Sequence, residues 1–309
     1  MQKILLFIAS LFYFNFLFSK NEIKSWQGIH ETPLSRLEQQ FAEPPVEFAN
    51  HVIWGWEGKM DKKTICNDLD SIKKKGFRAV IFEAGYKLPF KYLSEEWFKA
   101  IRTGVLEAKK RGMKVWIIDE GKYPSGFAGG KFSQERPDLR MQVLVIGDTI
   151  QIKRGEVMTN HKIAPEIISA VAVSTSGAPN RTVAINNGEI SFNAGLDDWK
   201  ILLVKSDFRT AVTRAVNNPN GGKDATNSLC DYLNPVAVQQ FIDWTHEQYK
   251  KYLGKELGTT VLGFRGDEPD YAHLPWTPSI VQTFKDTKGY DPTPYLASFF
   301  TTSPTIQEQ

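Results

Sequence analysis

The sequence predicts an α/β fold, a TIM-type (β/α) barrel that is incomplete and carries a small β-rich insertion. Apolar runs of strand length alternate with segments of helical periodicity, which is typical of parallel strands joined by helical crossovers. Four such units are visible in the 309 residues. A complete barrel has eight units and takes about 250 residues without insertions. We therefore expect only part of a barrel in this chain.

The four units are predicted from apolar runs and from helical spacing. The predicted strands are residues 51–56, 77–83, 113–118 and 259–266. The predicted helices are residues 61–75, 94–111, 234–254 and 277–289. In the first helix, Ile65, Leu69 and Ile72 lie at spacings of four and three, and Gly76 follows as a stop.

Helix boundaries are indicated by capping residues. Ser94 can accept a hydrogen bond from the first turn of the second helix, and Gly112 follows its end. Asn234 followed by Pro235 opens the third helix, because proline is favoured at the first helical position, and Gly254 closes it. These signals predict one long helix over residues 234–254.

The β-rich insertion lies between the third and fourth units, at residues 141–216. Its β-prone segments are residues 142–146, 169–173 and 200–204, and turn signals such as Asn186-Asn187-Gly188 separate them. No catalytic motif lies within it. We therefore predict a first part of the barrel over residues 21–140 and its continuation over residues 217–309.

The N-terminus indicates export. Lys3 precedes an almost unbroken apolar run at residues 4–18, and a polar stretch follows. Such a run is typical of a secretory signal peptide, and it is short for a membrane span, which needs about 20 residues. We predict a signal peptide at residues 1–20, a secreted or periplasmic protein and no stable membrane span after cleavage; a retained anchor is the alternative.

Composition excludes several kinds of partner and site. The chain has 38 Lys and Arg residues against 35 Asp and Glu, a net charge of +3, which is too weak to indicate a nucleic-acid groove. Its two cysteines, Cys66 and Cys230, are too few for a cysteine-based zinc site or a disulfide framework. They are not in a Cys-x-x-Cys motif, so a redox protein is a poor hypothesis.

Acidic residues follow each predicted strand. They are Glu57, Glu83, Asp119, Glu120, Asp267 and Glu268. In a parallel barrel the carboxyl ends of all strands open on one face, where active sites lie. Two carboxyl groups at such a face suit glycoside hydrolysis, in which one protonates the leaving oxygen and the other activates water or attacks the sugar. The alternative is that each acid caps a helix or is solvated in a loop.

Aromatic residues lie beside these acids in the sequence. They are Trp54, Trp56, Tyr86, Tyr123, Tyr271 and Trp276. Flat rings can stack on the apolar faces of sugars, although core packing explains any one of them as well. The glycine-rich residues 121–130 lack the Gly-Lys-Ser/Thr of a phosphate-binding loop. They form either a flexible surface loop or a backbone shaped to approach a ligand.

Five segments carry further motifs, which are, in order, residues 119–130, 231–235, 245–249, 266–271 and 275–278. Together they resemble glycoside hydrolase family 106, the α-L-rhamnosidases. The resemblance covers about residues 50–300 and implies the N-terminal part of a longer enzyme with a (β/α)8 barrel, an inverting mechanism and bound calcium. It also implies that Glu268, in Asp-Glu-Pro, is the general acid. Arg265-Gly266 departs from the Phe-Thr-Asp-Glu-Pro that is common in the family.

These observations lead to two hypotheses. The first is a secreted glycoside hydrolase acting on a polysaccharide. Its expected catalytic residues are Glu268, Asp267 and Glu120, and its expected substrate-binding residues are Trp54, Trp56, Glu83, Asp119, Tyr123, Tyr271 and Trp276. Calcium is implied by resemblance only, and its ligands are not identified. The second hypothesis is a truncated, non-catalytic carbohydrate-binding or vestigial protein, because half a barrel leaves strand edges unpaired.

Overall fold

The computed structural model describes residues 33–42, 50–85, 87–121, 124–209, 228–271 and 273–301. The chain divides into two units, residues 1–50 and residues 51–309. The predicted signal peptide at residues 1–20 lies outside the described residues. Within the described ranges, no helix has the length and apolar character needed to span a membrane.

The first unit contains helix α1, Leu34–Ala42, and all other elements belong to the second. The strands are β1 His51–Trp56, β2 Ala79–Ala84, β3 Lys114–Ile118, β4 Gln142–Ile152, β5 Val157–Lys162, β6 Ile167–Ser174, β7 Arg181–Thr182, β8 Ile185–Asn186, β9 Glu189–Asn193, β10 Trp199–Phe208, β11 Val261–Arg265 and β12 Pro275–Trp276. The helices of the second unit are α2 Lys62–Lys74, α3 Glu95–Lys110, α4 Lys131–Glu135, α5 Pro235–Trp244, α6 His246–Leu253 and α7 Ile280–Lys288, with short 3-10 segments at Ala128–Gly130, Pro137–Leu139, Gly254–Glu256 and Thr293–Phe300.

The four predicted strands of the alternating part form one parallel sheet, in the order β1-β2-β3-β11. Their carboxyl ends therefore lie along one edge. Among the described residues, β1 and β11 each pair with only one strand of this sheet. The α/β class is confirmed, and closure into a TIM-type barrel remains a prediction.

One face of the parallel sheet packs against α2, α3 and α6. Val80, Phe82, Val115 and Ile117 point to this side and share a buried core with Ile101 of α3. Burying each such side chain contributes about 1.5–3 kcal/mol. The residues between them in the strands point to the opposite face, because side chains alternate along a strand.

Helices α2 and α3 begin at capping residues, at the positions that the sequence predicts. The Asp61 carboxylate accepts a hydrogen bond from the Thr64 N–H at 2.9 Å, and the Ser94 hydroxyl accepts one from the Trp97 N–H at 3.3 Å. The acidic first turn of α3 also complements the positive end of the helix dipole. Both predicted helix starts are confirmed.

The single helix predicted over residues 234–254 is wrong, because the structure contains two helices that meet at Thr245. Asn234 caps α5 as predicted, with its side chain accepting from the Val236 N–H at 3.0 Å. At Thr245 the backbone leaves the helical region, with φ −117° and ψ −83°. The Thr245 hydroxyl also donates to the Phe241 carbonyl at 2.6 Å, a bond of the kind that often bends helices.

The described residues of the predicted insertion form strands in antiparallel sheets. One antiparallel sheet has the order β12-β4-β10-β6-β7, and a second has the order β5-β9-β8. The predicted turn joins β8 to β9 through Asn187 and Gly188, both with positive φ, as a tight hairpin of the primed type requires.

Residues after β11 join this insertion. Strand β12 pairs with β4, and the Ala297 N–H donates to the Ser169 hydroxyl of β6 at 3.0 Å. Trp276, Leu296 and Ala297 share a buried cluster with Val171 and Val204 of that sheet. The segment predicted to continue the barrel therefore covers the antiparallel sheet in this region.

Candidate functional site

The strand-end acids gather at the carboxyl edge of the parallel sheet. Asp119 follows β3 directly, and Asp267 follows β11 by one residue. Glu83, at the end of β2, lies opposite Gly55 of β1. A methyl group built on Gly55 would come within 3.6 Å of Glu83 Oε2, so the carboxylate lies over the glycine on the face away from the core.

Ser125 connects Asp119 to Asp267. Its hydroxyl donates to Asp119 Oδ1 at 2.6 Å and accepts from the Asp267 N–H at 2.8 Å. Its own N–H donates to the Asp267 carbonyl at 2.9 Å. The Tyr232 hydroxyl donates to the Ser125 carbonyl from the other side. The glycine-rich segment is therefore bonded to the end of β11, and it is not simply a loose surface loop.

His246 faces the same carboxylate. Its Nε2 lies 3.6 Å from Asp119 Oδ2. The Thr245 hydroxyl donates its proton to the Phe241 carbonyl, so Thr245 Oγ1 accepts from His246 Nδ1, 2.9 Å away. In the neutral ring the other nitrogen, Nε2, then carries no proton, and this nitrogen lies beside Asp119. Burial raises the pKa of Asp119 and lowers the pKa of His246, because both environments disfavour charge.

Glu268 is exposed and has a strained backbone. Its φ is +42°, a left-handed conformation that costs roughly 1–2 kcal/mol for a residue other than glycine. It also precedes Pro269, which restricts its backbone further. Arg265 contacts Asp267 at 3.3 Å across the same turn. Strain of this kind is concentrated at functional sites, so this turn is a candidate for direct contact with substrate.

Glu120, an expected catalytic residue, occupies a different environment. Its side chain is fully buried, with 0 % exposure. Its carboxylate accepts hydrogen bonds from the N–H groups of Gly121 at 2.7 Å, Ala128 at 2.6 Å and Gly129 at 3.0 Å. Burial raises the pKa of Glu120 to about 7. In this geometry Glu120 folds the loop around itself, which is a structural role, and it offers no oxygen to a ligand in solvent.

The expected substrate-binding aromatic residues separate into core and surface. Trp56 is 0 % exposed and packs among the core rings, so its expected contact with substrate is wrong for this conformation. Trp54 points to the same side and packs edge-on against Trp56 at 5.4 Å. Tyr271, by contrast, is 54 % exposed and lies 5.2 Å from the ring of Tyr232. Tyr271 is the described ring that remains available beside the acids.

Trp276 lines a cavity of about 710 Å³. The cavity is lined by Trp276, Ile280, Phe284, Tyr290, Pro292, Tyr295, Leu296 and Phe299. None of the strand-end acids contributes to this lining, so the cavity at Trp276 is separate from the acids. Tyr86 and Tyr123, also expected near the acids, lie outside the described residues.

The acids do not form a metal site in the described part of the chain. No three His, Cys, Asp or Glu side chains come close enough there to hold an ion. The calcium implied by the resemblance remains a prediction.

Two residues of the site, Ser125 and His246, were given no role from the sequence. Both lie in motifs that carry the family resemblance, but neither is a strand-end acid. Ser125 lies 142 residues from Asp267, and His246 lies 127 residues from Asp119, so only the folded chain brings them together.

Comparisons with known proteins agree with the resemblance. Residues 160–302 match the model of glycoside hydrolase family 106, described as alpha-L-rhamnosidase. A protein of Formosa agariphila named "Putative beta-glucuronidase" is 23% identical over 329 residues, covering 89% of this chain and 28% of that protein. The rhamnosidase from Novosphingobium sp. PP1Y has a similar fold, with a TM-score of 0.59 at 12% identity, covering 88% of this chain and 43% of that one.

This chain therefore spans less than half the length of each of these two relatives. The matched residues include Glu268, His246 and Tyr271, whereas the segment 119–130 lies before them. The resemblance to glycoside hydrolase family 106 is confirmed over residues 160–302.

Proposed function

We propose that this chain is part of an exported glycoside hydrolase, similar to α-L-rhamnosidases, that acts on a polysaccharide. The observation that carries the proposal is the Asp267–Glu268 turn at the carboxyl edge of the parallel sheet. It is strained, its glutamate is exposed, and it lies within the family match. Active sites of barrel enzymes lie at this edge.

In the proposed reaction Glu268 is the general acid. It gives a proton to the glycosidic oxygen as the bond to the anomeric carbon breaks, and the electrons of that bond leave with the oxygen. A second carboxylate removes a proton from the water that attacks the sugar. Glu83 and Asp119 lie at the same edge of the sheet and are proposed to bind hydroxyl groups, with Tyr271 stacking against a sugar ring.

The four-stranded sheet is proposed to be half of a (β/α)8 barrel. The fold similarity to the rhamnosidase supports this, since 88% of this chain aligns with 43% of that structure. Ile53 of β1 is 47 % exposed on the face away from the helices, which further strands would cover in a closed barrel.

The test is Glu268→Gln, with Glu166→Gln as the control. Glu166 is an exposed glutamate between β5 and β6 of the insertion. We expect Glu268→Gln to lower hydrolysis of an aryl α-L-rhamnoside by a factor of about 10²–10⁴, and Glu166→Gln to leave it unchanged. Retained turnover in Glu268→Gln would remove this residue from its role. A wild-type chain that binds sugar without turnover would instead support the non-catalytic hypothesis.

A further inference from the structure

We infer that Ser125 is the residue that positions Glu268, by clamping the peptide of Asp267 at the end of β11. The inference depends on the proposed function only for its effect on turnover. The clamp itself consists of hydrogen bonds in the described structure and can be measured without any substrate.

The clamp holds the Asp267 residue at both of its backbone polar groups. The Ser125 hydroxyl accepts from the Asp267 N–H at 2.8 Å, and the Ser125 N–H donates to the Asp267 carbonyl at 2.9 Å. The Asp267 carbonyl belongs to the peptide that links it to Glu268. Because the φ of Glu268 rotates about the bond that follows this peptide, the clamp restricts the direction in which the glutamate leaves the strand.

The clamp is itself anchored on two sides. The Ser125 hydroxyl uses its proton to donate to Asp119 Oδ1 at 2.6 Å, so its lone pairs remain for the Asp267 N–H. The Tyr232 hydroxyl donates to the Ser125 carbonyl. Ser125 is buried, at 8 % exposure, so water does not compete easily for these bonds.

The strain at Glu268 explains why a clamp is needed. A non-glycine residue with φ of +42° relaxes toward negative φ unless the surrounding structure holds it. The Ser125 bonds fix the residue immediately before it. A glutamate that must reach a glycosidic oxygen is sensitive to such placement, since a shift of about 1 Å can cost about 10²-fold in rate.

The matched control is another serine that binds one backbone amide. Ser133 accepts from the Ser228 N–H at 2.9 Å and, within the described residues, makes no hydrogen bond to Asp119 or Asp267. Ser125→Ala and Ser133→Ala therefore make the same chemical change, and each releases a different amide.

The experiment measures amide hydrogen exchange on the whole chain. In Ser125→Ala we expect the Asp267 amide to exchange about tenfold faster, because its hydrogen-bond acceptor is gone. In Ser133→Ala we expect faster exchange at Ser228 and no change at Asp267. Ser125→Cys, which keeps the side-chain volume with a weaker hydrogen-bonding group, provides a second variant if Ser125→Ala does not fold. Unchanged exchange at Asp267 in the folded Ser125 variants would overturn the inference.

Turnover tests whether the clamp serves Glu268. We expect Ser125→Ala to lower kcat for an aryl glycoside by about 10–100-fold with little change in KM, Ser125→Thr to recover most of it, and Ser133→Ala to match wild type. An equal loss in both alanine variants would contradict a positioning role. Absence of turnover in the wild-type chain would count against the proposed function, and the exchange data would still decide whether the clamp exists.

Discussion

The indole Nε1 of Trp97 donates a hydrogen bond to the hydroxyl of Tyr249 at 2.9 Å, and both side chains are fully buried. The two residues lie 152 positions apart and join α3 to α6. The polypeptide segments on either side of the β-rich insertion are thus connected within one core.

This contact predicts the effect of removing one hydroxyl group. Tyr249→Phe keeps the ring and leaves the buried Trp97 N–H without its acceptor, which costs about 1–3 kcal/mol. We expect a lower midpoint in urea unfolding, with an unchanged slope. Tyr252→Phe, at a half-buried tyrosine on the same helix, is the control and is expected to have a smaller effect. Equal midpoints for wild type and Tyr249→Phe would show that the Trp97 N–H finds another partner.

A second prediction concerns acid stability. Lys110 and Arg111 bond to the carboxylate of Glu107 and lower its pKa to about 2. Because the folded pKa is depressed, this carboxylate stabilises the protein above the unfolded value of about 4.3, and the contribution is lost as the pH falls toward 2. Glu107→Gln should remove that part of the pH dependence. The measurement is thermal unfolding from pH 6 down to the lowest pH at which the chain stays folded, with Glu247→Gln as the exposed control. Parallel curves for wild type and Glu107→Gln would contradict it.

Glu120 has the opposite linkage. Burial raises its pKa to about 7, so the folded state favours the protonated form. Its contribution is present below the unfolded value of about 4.3 and is lost as the pH rises through about 7. We expect stability to decline over this window, and Glu120→Gln to remove the decline. The variant should also be less stable overall, because its amide group brings donors toward the N–H groups of Gly121 and Ala128. A decline of the same or greater size in the variant would refute this linkage.

Truncating a buried aromatic ring and truncating an exposed one should have different effects on stability and on binding. Trp56→Ala removes a fully buried ring and should destabilise the fold by about 3–5 kcal/mol. Tyr271→Ala truncates an exposed ring and should change stability by less than about 0.5 kcal/mol, while weakening sugar binding if the proposed function holds. Chemical unfolding and ligand titration, run on both variants, separate the two roles. A large loss of stability in Tyr271→Ala would place it in the core instead.

Local signals predicted the elements of the parallel sheet and its helices well. Strand β1 coincides with the predicted residues 51–56, and the caps at Ser94 and Asn234 are present. Both kinds of feature depend on residues that are close together in the sequence, so local patterns are enough to predict them. The bend at Thr245 was missed because a threonine hydroxyl that bonds to the carbonyl four residues earlier leaves no mark in the sequence, and residues 235–253 keep helical spacing through it.

The site was predicted only in part, since burial depends on distant segments. Apolar residues lie on both faces of β1, with Ile53 on one and Trp54 on the other, so the sequence could not tell that Trp56 lies on the buried face. Glu120 and Glu268 look alike as strand-end acids. Glu120 is buried because the loop folds back so that Ala128 and Gly129 donate to its carboxylate. Glu268 is exposed on the turn before Pro269.

The strain at Glu268 leads to a final prediction about stability and function. Glycine adopts positive φ without steric cost, whereas alanine at this position keeps the strain. We therefore expect Glu268→Gly to be more stable than Glu268→Ala by about 1 kcal/mol, with neither variant able to donate a proton. At Glu166, where φ is not positive, the order should reverse, because glycine there only adds entropy to the unfolded chain. Urea unfolding of the four variants measures both differences. If glycine is no better than alanine at position 268, the turn is not strained in solution, and strain gives no reason to place Glu268 at the active site.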